Sequence, residues 1–162
     1  MTKKVGFIGA GYMGYGMAKN ILKNNFDLSV IAHKNRRPIE KLLKLGANEV
    51  STYDELTNNI DCLIICVTNT KIAKVIAKEI VIKLKKETLF IDITTHNENG
   101  SIEIENILSQ NQIKYVECPV MGGPVQSEEG ILGGIVGASE KNFEEAKEYL
   151  NTFCKNIFHF GS

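Results

Sequence analysis

Three glycines near the head of the chain carry the clearest chemical signal. Gly9, Gly11 and Gly14, with Ala10, Tyr12 and Met13 between them, spell G-x-G-x-x-G. Glycine at the first position lets a chain turn sharply. At the second it lets an anion reach the backbone, and at the third it lets a helix pack close on a strand. The unpaired N–H groups and positive dipole end of a following helix then face that anion. This is the chemistry of holding a pyrophosphate. The competing reading is a glycine-rich turn that binds nothing.

A second group is basic: His33, Lys34, Asn35, Arg36 and Arg37, with no acid among them. A dinucleotide site for NAD places Asp or Glu roughly 20 residues past the glycines, to hold the ribose 2′-hydroxyl. Asp27 falls at the wrong end of its predicted strand for that role. A 2′-phosphate would instead be met by Lys34 with Arg36 or Arg37, since a guanidinium grips phosphate through two donors. The expectation is therefore NADP over NAD, against the alternative of a solvated basic loop. Two further stretches bring polar groups to the same end of the domain. Thr94, Thr95 and His96 follow an apolar run, as Thr68 does earlier. Cys118-Pro119-Val120-Met121-Gly122-Gly123-Pro124 sets two glycines between prolines, a stiff loop whose N–H groups suit an anion. Taken alone, His96 reads as a surface histidine on a Thr-rich turn.

The elements that must position these groups alternate between strand and helix. Val5 to Ile8 is a short buried strand. A helix from Met13 buries Met17, Ala18, Ile21 and Leu22. Asp27–Ala32 is a second strand, and Pro38 opens a helix over Ile39–Leu45 that Gly46 ends. Glu49–Ser51 is a short strand. A helix over Tyr53–Asn58 follows, with Ser51 or Thr52 as its cap. Asp61–Val67 is nearly all apolar, as a strand covered on both faces requires. Ile72, Val75, Ile76, Ile80 and Leu84 form a helical stripe. Leu89–Ile93 is the fifth strand and Ser101–Gln110 a helix, after which Lys114–Glu117 leads into the glycine-proline loop. Ile131–Gly137 is a hairpin partner for the glycine-proline loop. Phe143–Phe153 is an amphipathic helix and Asn156–Phe160 a last strand. The pattern predicts an α/β domain: a Rossmann-type, doubly wound, mostly parallel sheet with helices on both faces. Ligands of such sheets sit at the C-terminal strand ends, where Val67, Thr68 and Thr95 fall.

Composition bounds the partners. The chain has 162 residues and a formal net charge of +0, so nothing draws it to nucleic acid or to an anionic membrane. No stretch is long enough to span a bilayer, and no secretory leader is read at its start. Cys62, Cys66, Cys118 and Cys154 lack metal-ligand spacing, and no metal is expected. Cys62 and Cys66 share one buried face. Reduced thiols point to the cytoplasm.

In four stretches the chain resembles the β-hydroxyacid dehydrogenase family, which includes 3-hydroxyisobutyrate dehydrogenase and tartronate, glyoxylate and succinic semialdehyde reductases, and is related to 6-phosphogluconate dehydrogenase. Gly9-Ala10-Gly11-Tyr12-Met13-Gly14-Tyr15-Gly16-Met17-Ala18 matches its opening fingerprint. His33-Lys34 stands where many members have Asn-Arg. Asp92-Ile93-Thr94-Thr95 resembles its Asp-Met-Ser-Thr. Glu117-Cys118-Pro119-Val120-Met121-Gly122-Gly123 resembles its substrate-binding Asp-Ala-Pro-Val-Ser-Gly-Gly, with Met121 in place of the serine hydroxyl. Ketopantoate and pyrroline-carboxylate reductases share the opening, but the Pro-Val-Met-Gly-Gly-Pro segment argues against them.

The resemblance implies hydride transfer between a nicotinamide and a small 3-hydroxy acid or semialdehyde. It places Gly9 to Gly14 at the pyrophosphate, Val67 and Thr68 at a ribose or the nicotinamide, and Thr95 at the nicotinamide. Met121, Gly122 and Gly123 would meet a substrate carboxylate. The family's proton donor is a Lys near the Gly-rich helix start of a helical domain that follows the last strand. Gly161-Ser162 resembles the beginning of that segment, so the Lys would lie beyond Ser162. No lysine present matches it. Residues 1–162 therefore read as the NAD(P)-binding domain without the helical domain, with no catalytic residue of their own, binding cofactor without turnover. Two alternatives stand beside this: a complete non-catalytic dinucleotide-binding module or sensor, and an enzyme with His96 as the acid. If the helical domain normally covers Phe153, Phe158 and Phe160, these residues would instead promote a homo-oligomer.

Overall fold

The apolar runs lie side by side as parallel strands. A computed structural model describes residues 2–162. In chain order the elements are β1 (Lys4–Ile8), α1 (Gly14–Lys23), β2 (Asp27–Ile31), α2 (Arg37–Lys44), β3 (Asn48–Val50), α3 (Tyr53–Thr57), β4 (Cys62–Ile65), α4 (Thr70–Ile80), β5 (Leu89–Asp92), α5 (Glu98–Ser109) and β6 (Lys114–Glu117). There follow β7 (Val120–Met121), α6 (Pro124–Glu129), β8 (Leu132–Val136), α7 (Glu140–Leu150) and β9 (Cys154–His159). The first six strands form one sheet in the order β3-β2-β1-β4-β5-β6, every pair parallel. That is the doubly wound arrangement the sequence predicts. A smaller sheet, β7-β8-β9, joins the β6 edge through an antiparallel bridge between Glu117 and Gly137.

Two apolar clusters sandwich the large sheet. Val5, Phe7, Leu28, Val30, Cys62, Ile64 and Ile91 face α1, α2 and α7. Ile8, Leu63, Ile65 and Phe90 face α3, α4 and α5. Successive strand residues alternate between the clusters, as the period of two requires. Burial on both faces is why these strands read as unbroken apolar runs.

Several local expectations are corrected. The stripe on α4 is turned: Ala73, Ile76, Ala77 and Ile80 are buried, Ile72 and Val75 are exposed, and Leu84 is buried beyond the end of the helix. Small alanines let α4 lie close to its neighbours, so the larger Ile72 and Val75 face outward. Helix α5 starts at Glu98, three residues before Ser101, because Asn97 caps it by accepting from the Gly100 N–H at 2.9 Å. Helix α7 likewise starts at Glu140, capped by Ser139, and ends at Leu150. The expected hairpin of β7 and β8 is antiparallel, but α6 interrupts it. Cys66 packs on the same cluster as Cys62 yet lies past the end of β4 and is only partly buried.

One buried polar atom is orphaned. The Tyr115 hydroxyl has no hydrogen-bond partner among the described residues. It sits in the apolar cluster with Phe90, Ile104 and Leu108. Burial pushes its ionisation far up, with Asp92 and Glu117 adding to the effect. Tyr115→Phe is expected to stabilise the chain by about 1 kcal/mol, because an unsatisfied buried hydroxyl carries a desolvation cost that Phe lacks. Thermal unfolding checks this: the midpoint should rise by about 2–4 °C.

Candidate functional site

The C-terminal ends of four strands stand in register, with Ile8 opposite Ile65, Ile65 opposite Asp92 and Asp92 opposite Glu117. The chain leaves each of them into a segment singled out above. The glycine turn follows β1, Cys66-Val67-Thr68 follows β4, Thr94-Thr95-His96 follows β5, and Cys118 to Gly123 follows β6. The topology therefore gathers these segments at one edge.

Each glycine of the turn has a different neighbourhood. Gly9 has φ +94°, and a Cβ there would lie 2.0 Å from the Cys66 carbonyl oxygen. A Cβ on Gly14 would lie 2.1 Å from the Gly9 oxygen and 3.0 Å from the Phe7 ring. Both positions are closed to any side chain. Gly11 is the opposite case, since nothing comes within 4 Å of its missing Cβ. Its backbone faces open space, as a ligand's approach requires. Tyr12 beside it is 87% exposed. Helices α3, α4, α5 and α7 are each capped by a side chain, from Thr52, Asn69, Asn97 and Ser139. Helix α1 has no side-chain cap at Met13 and no acid in its first turn. The Gly11 N–H closes on the Gly9 carbonyl at 2.7 Å and the Tyr15 N–H on the Gly11 carbonyl at 3.0 Å, so the Tyr12, Met13 and Gly14 N–H groups and the positive dipole end are left to an anion, and the turn fits a dinucleotide pyrophosphate.

The basic segment is exposed from His33 to Arg37. Asn35 accepts from the Arg37 N–H at 3.1 Å and shapes the turn into α2. Arg36 is engaged elsewhere. Its guanidinium makes a two-pronged bond to Glu49 on β3, at 2.8 and 3.0 Å. The pair raises the Arg36 pKa and lowers that of Glu49. Sequence reasoning placed no acid near this segment, because Glu49 comes from the neighbouring strand. Lys34 and Arg37 make no side-chain ion pair among the described residues.

The β5 exit holds the main departure from expectation. Thr95 is exposed, but Thr94 is buried and accepts from the Val67 N–H at 3.2 Å, tying the β4 and β5 exits together. His96 is no surface histidine. Its side chain is fully enclosed, with Nε2 2.8 Å from Asp92 Oδ2 and Nδ1 3.0 Å from Thr70 Oγ1. The other Asp92 oxygen accepts from the Thr94 N–H at 2.9 Å. The Asp92-to-His96 spacing was visible in the sequence. Thr70, from the start of α4, was not. Burial pushes the nearby Cys66 thiol up to about 11, with Asp92 adding to it, so this thiol stays protonated and unreactive near neutral pH.

On the β6 side, Gly122 has φ +127° and Met121 is half exposed, its methyl lying over Gly133. The Gly123 N–H already donates to Gln126 Oε1 at 3.0 Å. Of the two amides expected to meet a carboxylate, that one is occupied from within the chain. Helix α6 then packs on α1. A Cβ on Gly16 would lie 2.5 Å from the Glu128 nitrogen, and Ser127 donates its hydroxyl proton to the Met13 carbonyl at 2.7 Å. Neither Gly16 nor Ser127 was singled out as a site-building residue in the sequence.

Gly161 and Ser162 lie outside every helix and strand, and Ser162 is exposed. Gly161 has φ +89°, a left-handed conformation that no α-helix contains, and its carbonyl accepts from the Ala138 N–H at 2.8 Å. That bond ties the end of β9 back to the turn before α7. No group of three or more His, Cys, Asp or Glu side chains among the described residues is placed to hold a metal ion. No helix among them is long and apolar enough to cross a membrane.

Comparison with known proteins gives a consistent set of relatives. The family described as the NAD binding domain of 6-phosphogluconate dehydrogenase matches residues 4–161. A probable mitochondrial 3-hydroxyisobutyrate dehydrogenase of Dictyostelium discoideum is 31% identical over 99% of this chain and 50% of its own length. The 2-(hydroxymethyl)glutarate dehydrogenase of Eubacterium barkeri is 28% identical over 98% of this chain and 53% of its own. The solved 3-hydroxyisobutyrate dehydrogenase of Mycobacterium tuberculosis with L-serine superposes with a TM-score of 0.94. It is 20% identical and is covered over 55% of its length, so it bears on the fold. The chain spans about half the length of these relatives.

Proposed function

Since this chain belongs to the family of the NAD binding domain of 6-phosphogluconate dehydrogenase, we propose that it is the cofactor half of an oxidoreductase acting on a small 3-hydroxy acid or semialdehyde. The observation that carries the reading is the uncapped, acid-free start of α1 beside an unobstructed Gly11. Gly9 to Gly14, with Ala10, Tyr12 and Met13, hold the pyrophosphate against that helix end. Val67, Thr68 and Thr95 border the nicotinamide half at the neighbouring strand exits. Met121 and Gly122 face the substrate carboxylate, and Gly123 shapes that loop through Gln126.

A bound nicotinamide supplies or accepts the hydride; the residues of this chain bind and orient it. The proton donor in this reading is a lysine beyond Ser162, outside these 162 residues, so the chain is expected to bind cofactor without turnover. The relatives' length, about twice that of this chain, supports a division of labour between two parts. The compartment proposed is the cytoplasm, where four free thiols stay reduced.

The cofactor proposed is NADP, held at its 2′-phosphate by Lys34 and Arg37, with Arg36 as a third cation once released from Glu49. Fluorescence titration with NADPH and with NADH tests it. NADPH should bind about tenfold more tightly or better, the size of one or two charge-assisted contacts. Equal affinities would reduce the segment to solvated surface. Glu49→Gln should raise NADPH affinity by up to about fivefold, because an exposed pair contributes little and its loss frees Arg36. NADH affinity should not change. A fall for NADPH would show instead that Glu49 holds Arg36 in place for the phosphate.

A further inference from the structure

The enclosed His96 has no part in the cofactor chemistry just described, yet the chain surrounds it with partners. It links three elements. Asp92 ends β5, Thr70 begins α4, and the backbone between Asp92 and His96 carries Thr94 and Thr95. Asp92 uses one oxygen for the Thr94 N–H and the other for His96 Nε2. Thr94 in turn accepts from Val67. Thr70 is held from a second side as well. A Cβ on Gly100, in the first turn of α5, would lie 2.5 Å from the Thr70 methyl. The loop bearing Thr95 is thus pinned at Asp92, at Val67 and, through His96, at α4.

We propose that His96 is a positioning residue, whose bridge from Asp92 to Thr70 fixes the Thr94–Thr95 loop for the nicotinamide half of the cofactor. The inference rests on the cofactor-binding reading. The bridge changes character with protonation. Neutral His96 donates from Nε2 to Asp92 and accepts the Thr70 hydroxyl proton at Nδ1. Protonated His96 donates from both nitrogens, so the Thr70 oxygen becomes the acceptor and the Asp92 bond becomes an ion pair. The charged groups facing it are Asp92 on β5, Glu117 at the end of β6 and Lys74 on α4. Burial lowers the His96 pKa, but the Asp92 hydrogen bond and charge, with Glu117, outweigh burial and Lys74, and the net shift is upward. A raised pKa means the stronger, charged bridge is complete below about pH 6.5 and is lost as pH rises through the raised value.

The test titrates the chain and its His96→Gln and Thr70→Val variants with NADPH and with adenosine 2′,5′-bisphosphate, which lacks the nicotinamide. Both variants should weaken NADPH by about tenfold, the size of one hydrogen bond to a charged network, and leave the adenosine ligand unchanged. The fall in NADPH affinity with rising pH, measured between about pH 6 and 9, should flatten in His96→Gln. Unaltered NADPH binding and an unaltered pH profile in both variants would overturn the role. Failure of the parent chain to bind either ligand would sink the cofactor reading, and a ligand-free measurement then decides the inference. In that measurement the Val67, Thr94 and Thr95 amide resonances should titrate together with the His96 ring. If the ring titrates and those amides stay still, His96 does not position the loop.

Discussion

Gly9→Ala should cost the chain about 3 kcal/mol or more, while Gly11→Ala, two residues on, should change stability by no more than about 0.5 kcal/mol. The difference follows from what each missing Cβ would meet. At Gly9 it would lie 2.0 Å from the Cys66 carbonyl oxygen, which belongs to the strand exit next door and cannot retreat without breaking the register of β1 on β4. The backbone there also has φ +94°, which adds strain for any L side chain. Together these predict a midpoint lowered by about 6–12 °C in a chain of this size. Gly11 has neither constraint: its Cβ would stand in open space and its φ is not positive. The methyl would instead stand where the pyrophosphate approaches. NADPH affinity should therefore fall by about tenfold or more with the fold intact. Thermal unfolding and ligand titration of both variants separate the roles. A Gly11→Ala chain that binds like the parent would show that the pyrophosphate does not pass there.

The parts of the fold that were legible in the sequence are those whose burial is dictated by near neighbours. Strands β1, β4 and β5 are covered on both faces and read as unbroken apolar runs. The glycine turn carries its meaning in its spacing. Most of the parts that were not legible depend on partners far along the chain. Helix α6 is six residues that open on Pro124 between Gly123 and Gly130, and its local composition says loop; it is held by Gly16 and Asn20 on α1. The first turn of α5 reads as a turn because Asn97, Asn99 and Gly100 favour turns, and it becomes helix because Asn97 caps it and Gly100 packs on Thr70. His96 carries a hint in its spacing from Asp92, but only the position of Thr70 encloses it. Arg36 looked free for a phosphate because its competitor, Glu49, lies across the β2–β3 pair. Apart from the local Asn97 cap, the deciding contact in each case joins segments that sequence proximity does not.

The same long-range dependence makes the seam between α1 and α6 the place for the second large effect. Gly16→Val should cost about 3 kcal/mol or more, because its Cβ would lie 2.5 Å from the Glu128 nitrogen and the Ser127 carbonyl carbon, both backbone atoms. Helix α6 would have to lift, and with it the bond from the Ser127 hydroxyl to Met13 and those from Asn20 Nδ2 to the Ser127 and Glu128 carbonyls, at 2.8 and 3.3 Å. Hydrogen exchange over residues 124–131 should then quicken while the β1 and β4 amides stay protected, since the large sheet does not pass through this seam. Asn20→Leu removes the polar half of the seam without the clash and should cost about 1–3 kcal/mol, taking the Asn20 donor from the Ser127 and Glu128 carbonyls and leaving the Ser127 carbonyl only the Gly130 N–H. Residues sharing one contact surface do not add. The double variant should therefore lose less than the sum, because a lifted α6 no longer has the Asn20 bonds to lose. A fully additive loss would show that α6 is held to the domain by something other than α1. The glycine turn and the Gly122–Gly123 loop would then be independent pieces rather than two ends of one clamped unit.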